Sequence, residues 1–448
     1  MSLQNISPID GRYANKVSEL SDFFSEHGLF KYRVQVEVLY LLELIRTPEL
    51  SIPAITKDQE KSLLDIVENY SIKDSERIKE IEKITRHDVK AVEYFLREKI
   101  GEIGLQSLFE MIHFGLTSQD INNTATPMMM RDATKSILIP HLSQIHLQIL
   151  AIANEYRNVS MLARTHGQPA SPTGLGKEIA VFTERLQKQI YQLEFLEYSG
   201  KFGGATGNFN AHKIAYPQLD WRNWADHFLL NKLGIKRQSL TTQIAHYDEI
   251  AEWCHILMRI NTIFIDFCKD LWAYISMDYF TQKTVAGEVG SSAMPHKVNP
   301  IDFENAEGNF GIANAIFSFM AEKLPISRLQ RDLTDSTVLR NLGTPVAHSL
   351  IALKSLSFGL TKLEVNLPKI ESELNQQWII LAEAVQTILR RENIEHPYEL
   401  LKNLTRGKSA ISPADLHTFV DGLQVSDAVK EELKALSPEG YIGYAGEF

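Results

Sequence analysis

Apolar residues fall at Ile250, Trp253, Leu257, Ile260, Phe264, Phe267 and Leu271, with spacings that alternate between three and four. That rhythm predicts a helix carrying a bundle seam, not a strand. Cys254, Met258, Ile265, Cys268 and Trp272 fill its other faces, so the helix is expected to lie buried among neighbours. It sits in a 52-residue stretch between Gly234 and Gly287 that has neither Gly nor Pro. As an ideal helix, residues 250–275 would span about 39 Å. The windows 141–166, 177–199 and 369–396 also lack both breakers and are read as helical. No alternating run rivals this periodicity, so the fold class is mainly α.

Breakers place the boundaries. Pro48, Pro53, Gly101 and Gly104 interrupt the first part, and Gly407, Pro413, Gly422, Pro438 and Gly440 punctuate the tail. Three α-rich domains are expected: an N-terminal one over 1–112, a central helix bundle over 113–364 and a C-terminal one over 365–448. Long helices expose apolar faces that a single chain does not cover, so a homo-oligomer sharing a bundle is expected.

Composition narrows the class. With 44% hydrophobic and 23% charged residues, the chain has ample material for a core. A net charge of −10 and no basic block argue against a nucleic-acid partner. No run of eighteen uncharged apolar residues occurs, so no membrane span is expected. Residues 1–13 lack the charge-then-apolar layout of a signal peptide. The two cysteines, fourteen positions apart on one predicted helix, would lie about 20 Å apart, beyond pairing distance. A cytoplasmic protein with reduced thiols is the expectation.

Most chemical motifs are missing. Gly203-Gly204-Ala205-Thr206-Gly207 has the wrong spacing for a dinucleotide loop, and Gly407-Lys408-Ser409 lacks the leading glycine of a phosphate loop. There is no H-E-x-x-H, C-x-x-C or G-x-S-x-G. What remains is Gly290-Ser291-Ser292-Ala293-Met294-Pro295-His296-Lys297-Val298-Asn299-Pro300, a donor-rich loop between long helices. Most such clusters are solvated turns, but this one is longer than a turn requires.

This loop resembles the signature loop of the fumarase/aspartase superfamily of lyases. Thr117-Ser118-Gln119-Asp120-Ile121-Asn122 resembles the superfamily's first region, and Arg164-Thr165-His166-Gly167-Gln168-Pro169-Ala170 its second. Ser7-Pro8-Ile9-Asp10-Gly11-Arg12-Tyr13, the stretch His87 to Glu93 and the stretch Arg331 to Arg340 resemble the bacterial form of its adenylosuccinate-cleaving branch. The resemblance runs along nearly the whole chain. It implies elimination of fumarate from adenylosuccinate, giving AMP, and from succinyl-aminoimidazole carboxamide ribotide (SAICAR), giving AICAR. It implies a homotetramer with a twenty-helix core and active sites shared between subunits, with no cofactor and no metal. The alternative is another lyase of the superfamily, such as argininosuccinate lyase or fumarase.

The chemistry asks for the residue types present. Removing a proton beside a carboxylate builds a doubly charged group that needs a cation and donors around it. Lys297 and Asn299 are suitable, with a helix N-terminus after Pro300 as a further source. The residue types alone leave Ser291 and His296 level as the base; the resemblance implies Ser291. His166 suits the acid that protonates the leaving nitrogen, because an imidazole titrates near neutral pH. The resemblance gives Glu304 the task of orienting His166; on the residue type alone it is a first-turn helix charge. Arg12, Tyr13, Arg331, Ser336 and Arg340 match phosphate-binding positions. His87, Asp88, Thr117, Ser118 and Gln243 are carried over as substrate contacts, and Gln119 is given no role. On one ideal helix Arg331 and Arg340 would point about 180° apart, so their convergence requires a break between them.

Overall fold

The computed structural model describes residues 3–283, 294, 297–405 and 411–448, with main chain only at 403–405. Helices dominate. In chain order the principal ones are α1 (Glu26–Ile45), α2 (Lys57–Glu68), α3 (Ile72–Thr85), α4 (Asp88–Glu102), α5 (Ser118–Ala133) and α6 (Ile139–Glu155). A hairpin of β1 (Ser160–Thr165) and β2 (Gln168–Gly174) follows, then α7 (Leu175–Glu194), α8 (Asp248–Ser276), α9 (Ile301–Lys323), α10 (Thr334–Leu339) and α11 (Gly343–Lys362). The C-terminal part holds α12 (Leu367–Asn375), α13 (Ala382–Arg391), α14 (Pro397–Thr405), α15 (Pro413–Asp421) and α16 (Asp427–Lys434).

The chain forms two compact units. One comprises Met1–Leu142, Gln189–Thr262 and Gly308–Lys354; the other comprises Ser143–Lys188, Ile263–Glu307 and Ser355–Phe448. Each is described by itself.

In the first unit, α1, α3 and α4 bury Phe30, Val34, Val38, Ile78, Val92 and Phe95 in one cluster. The part of α8 in this unit is fixed by polar bonds as well as by its seam. Trp253 Nε1 donates to Thr134 Oγ1 at 3.0 Å, and Asn261 Nδ2 donates to Asn314 and Ser349 at 3.0 Å each. In the second unit, Phe182 and Phe267 meet at 4.9 Å, and Leu381, Val385, Leu416, Val420 and Leu433 form a separate C-terminal core.

The seam of α8 is buried from end to end, as its spacing requires. The helix is not covered all round, however: Glu252, His255, Thr262, Asp266 and Lys269 are exposed, and Trp272 is 48% exposed. Cys254 and Cys268 are free and buried, and burial pushes the Cys254 thiol up to about 12.

Two expectations need correction. The window 141–166 is not one helix: α6 ends at Glu155 and residues 160–165 form a strand. The window 369–396 is broken by a 3₁₀ turn over Trp378–Leu381. The exclusion of any spanning helix also needs qualification, since the helical stretch Ser118–Glu155 contains a window long and apolar enough, by length and composition only. Its first turns bury Asp120, Asn123 and Thr124 on protein partners, which is how a core helix treats polar groups.

A buried histidine lies close to these first turns. His212 packs edge-on against Phe114 and Phe209 and at a tilt against Trp221, with Tyr40 Oη 3.0 Å from its Nε2. Gly115, at φ 69°, lies against the ring; a Cβ there would sit 2.7 Å from it. Burial pushes His212 down to about 4 from an ordinary 6.5. Between those values the unfolded chain binds a proton that the folded chain does not, so stability is present above pH 6.5 and is lost as pH falls towards 4. The advantage of the native chain over a His212→Gln variant in urea unfolding should therefore shrink by about 3 kcal/mol from pH 7 to pH 4. A constant difference would show that His212 titrates normally.

Candidate active site

The first unit gathers the groups matched to substrate contacts. α5 begins with a capping box in which Thr117 N donates to Asp120 Oδ2 at 2.8 Å. Asp120 is fully buried and also accepts from Gly203 N at 2.8 Å, Gly204 N at 3.1 Å and Lys201 Nζ at 2.7 Å. Lys201, equally buried, donates in turn to the Gly204 carbonyl. The glycine turn that fits no dinucleotide motif is thus a clasp on the first turn of α5.

His87 caps α4, its Nδ1 accepting from Lys90 N at 3.2 Å. In the neutral ring that leaves the proton on Nε2, which faces Ser118 Oγ at 3.5 Å. The capping and contact readings of His87 therefore hold together. Beside it, Asp88 Oδ2 accepts from Arg33 NH2 at 2.8 Å and from Arg340 NH2 at 3.0 Å, while Oδ1 accepts from Val89 N at 2.9 Å. Burial works to raise the Asp88 pKa, but Arg33, the Val89 N–H and Arg340 hold it below the usual carboxylate range.

The two candidate phosphate arginines are separated by a break. α10 starts only at Thr334, so Arg331 lies in the loop before it and Arg340 is its C-cap residue. Arg331 donates to Ser336 Oγ at 3.2 Å and to Gln243 Oε1 at 3.4 Å. Ser336 and Arg340 are four apart, on one face of the turn. Asp335, buried behind them, accepts from Tyr247 Oη at 2.8 Å, and Tyr247 also takes a bond from Asn123 on α5. Burial first, then the Asp335 charge, pushes the Tyr247 hydroxyl far above its usual range. Arg12 is exposed, 5.9 Å from the centre of the Tyr13 ring. Ser7 and Asp10 of the same island line one cleft with Arg340 and Gly343.

The second unit holds the groups matched to proton transfer. β1 and β2 pair antiparallel, with Thr165 opposite Gln168, so His166 and Gly167 form a two-residue turn. Their φ values of 54° and 76° are both left-handed, the type I′ arrangement that suits strand twist. His166 is exposed at the tip, and its ring makes no hydrogen bond among the described residues. Arg164, two residues earlier on β1, is ion-paired with Glu373 of α12.

The end of the signature loop leads straight into α9. Lys297 is exposed and Asn299 half-buried; Pro300 O accepts from Phe303 N at 3.1 Å and from Glu304 N at 3.2 Å. The expected helix N-terminus after Pro300 is therefore present. Glu304 is exposed and accepts from Trp272 Nε1 at 3.1 Å, so within one chain its partner is that indole and not His166. Ser291, Ser292 and His296 lie outside the described residues.

Sequence reasoning gave no role to Arg33, Asn122, Lys201, Tyr247 or Asp335. The available signal was a charged or polar residue embedded in an apolar helix: Arg33 falls between Tyr32 and Val34, both buried.

A family model described as "Lyase" matches residues 11–314, and one described as "Adenylosuccinate lyase C-terminal" matches residues 327–442. Among solved structures, the fold matches a fumarate lyase from Mesorhizobium sp. BNC1 with a TM-score of 0.76 at 18% identity, covering 96% of each chain. It matches 3-carboxy-cis,cis-muconate lactonizing enzyme from Pseudomonas putida with the same TM-score at 19% identity, covering 96% of this chain and 94% of that one. The fold is that of this lyase superfamily. In sequence, the chain is 52% identical over 456 residues to adenylosuccinate lyase of Dictyostelium discoideum, covering 100% of this chain and 98% of that one. It is 50% identical over 446 residues to adenylosuccinate lyase of Escherichia coli K12, covering 99% and 97%. The chain belongs to the adenylosuccinate lyase family.

Proposed function

We propose that this protein is a carbon–nitrogen lyase that eliminates fumarate from adenylosuccinate, giving AMP, and from SAICAR, giving AICAR. The observation that carries the reading is its likeness, at about half identity along the whole chain, to adenylosuccinate lyases. The arginine cluster around Asp88, Gln243 and Ser336 supports a phosphorylated substrate over argininosuccinate or fumarate.

In this reading Ser291 takes the proton from the carbon next to the substrate carboxylate. The electron pair is held on that carboxylate, stabilised by Lys297, Asn299 and the N-terminus of α9. The C–N bond then breaks as His166, oriented by Glu304, delivers a proton to the leaving purine nitrogen. Because the substrate's own carboxylate receives the electrons, the step has no need of a metal or an organic cofactor. Arg12, Tyr13, Arg331, Ser336 and Arg340 bind the phosphate, and His87, Asp88, Thr117, Ser118 and Gln243 line the rest of the site.

The same reading makes the protein a cytoplasmic homotetramer with sites shared between subunits, without nucleic-acid or membrane partners. Its three domains are 1–112, 113–364 and 365–448. Val181, Tyr191, Trp272, Ile312, Phe319 and Phe358, large side chains exposed on long helices, support burial in a helical assembly.

Purified protein should convert adenylosuccinate to AMP and fumarate, followed by the ultraviolet change, and AMP should inhibit competitively. Turnover of argininosuccinate or fumarate instead, insensitive to AMP, would select the alternative lyases.

A further inference from the structure

We infer that Arg33 is a positioning residue for the site: acting through Asp88, it fixes the direction of the Arg340 guanidinium and keeps that corner net positive. The inference rests on the reading of Arg340 as a phosphate ligand.

A guanidinium inside a helix that packs Phe30, Val34 and Val38 into the core calls for explanation, since an apolar residue would fill the place without desolvating a charge. Arg33 is 3% exposed. Its Nε donates to Asn122 Oδ1 on α5 at 2.9 Å, and its NH2 donates to Asp88 Oδ2 at the start of α4 at 2.8 Å. It therefore ties together three helices, two of which open directly onto the site at His87 and Ser118.

Asp88 is the common element. The oxygen that takes Arg33 also takes Arg340 at 3.0 Å, and the other is held by the Val89 N–H. Each oxygen of the carboxylate is thus held by a group other than Arg340. Arg340, by contrast, has a side chain that is 51% exposed and long enough to take many rotamers. A fixed acceptor removes much of that freedom before substrate arrives, which is how a rigid support strengthens binding without touching the ligand.

The charge count makes the second argument. Asp88 and Arg340 alone would form a neutral pair, with the arginine's charge spent on its own neighbour. Arg33 supplies the second cation, so the trio keeps one net positive charge to face a phosphate. The NH1 of Arg33 is buried and has no hydrogen-bond partner among the described residues, so its bonds serve the supports and not the core.

The test is a double-mutant cycle on the tetrameric or native assembly as purified, with Arg33→Met, Arg340→Ala and the double variant. The readouts are KM for adenylosuccinate, the AMP inhibition constant and kcat. Arg33→Met should raise KM and the AMP constant about tenfold, the effect of one charged hydrogen bond, and leave kcat within about twofold. In the Arg340→Ala background the same change should alter KM by less than about twofold. Arg33→Lys, which keeps the charge and a donor for Asp88, should recover part of the loss.

Should Arg33→Met fail to fold, Asn122→Ala loosens Arg33 while keeping its charge paired with Asp88 and goes through the same cycle, with a KM rise of about threefold expected only when Arg340 is present. Equal multiplicative effects with and without Arg340, or an unchanged KM in the single variant, would overturn the inference. An unchanged KM and AMP constant in Arg340→Ala alone would remove the phosphate reading itself, and this inference with it.

Discussion

Replacing His166 with alanine is expected to lower turnover by about 10²- to 10⁴-fold, the loss that follows removal of a positioned general acid. The fold should survive. His166 is exposed at the tip of the β1–β2 hairpin, and among the described residues no bond of its ring supports the strands. Its backbone is left-handed at φ 54°, so alanine there carries local strain, and His166→Asn, which tolerates that conformation, is the cleaner variant. The two should be equally inactive, with the asparagine variant unfolding nearer to wild type. If the sites draw His166 and Ser291 from different chains, mixing inactive His166→Asn with inactive Ser291→Ala should restore activity after subunit exchange. Random assembly sets a ceiling of about a quarter of the native sites. No recovery, with exchange demonstrated by mass, would place both residues in one chain.

The second large effect is on stability. Lys201→Met should destabilise the protein by about 3–5 kcal/mol, because it leaves the Asp120 carboxylate buried without its counter-charge. Both side chains are fully buried at 2.7 Å, and the carboxylate also holds the Thr117, Gly203 and Gly204 N–H groups. Burial pushes the Lys201 ammonium below its ordinary range against the pull of Asp120. Urea unfolding of Lys201→Met, Asp120→Asn and the double variant would test it. The double variant should lose less than the sum of the singles. A loss under about 1 kcal/mol for Lys201→Met would mean that water or another group already compensates the pair. Since such a loss is a large part of a typical folding free energy, assays on this variant belong at low temperature.

How far the sequence could be read differed by element. The seam of α8 was legible because three-four spacing over seven positions has one structural meaning, and all seven residues are buried. The start of α9 was legible from Pro300, which cannot continue a helix backwards. The β1–β2 hairpin was hidden. Residues 156–165 carry no Gly or Pro, so breaker counting ran α6 through them, and the turn itself uses His-Gly where hairpins usually signal with Asn-Gly or Asp-Gly.

The candidate site split in the same way. Residue types and islands pointed to His166, Arg331 and Arg340, and the ideal-helix objection to the arginines dissolved because α10 is only six residues long. Arg33 and Lys201 were out of reach, since their roles depend on which helices meet them, and one chain position does not encode that. Glu304 marks a different limit. Its sequence context matched an orienting carboxylate, yet its partner within the chain is the Trp272 indole.

In the proposed mechanism position 166 meets two demands, one of geometry and one of chemistry. The turn favours residue types that enter left-handed backbone readily, among them Gly, Asn, Asp and His. Of these, only histidine carries a proton it can give up near neutral pH. In the proposed mechanism, the substitutions that fit the turn best are therefore the ones that would empty the acid position.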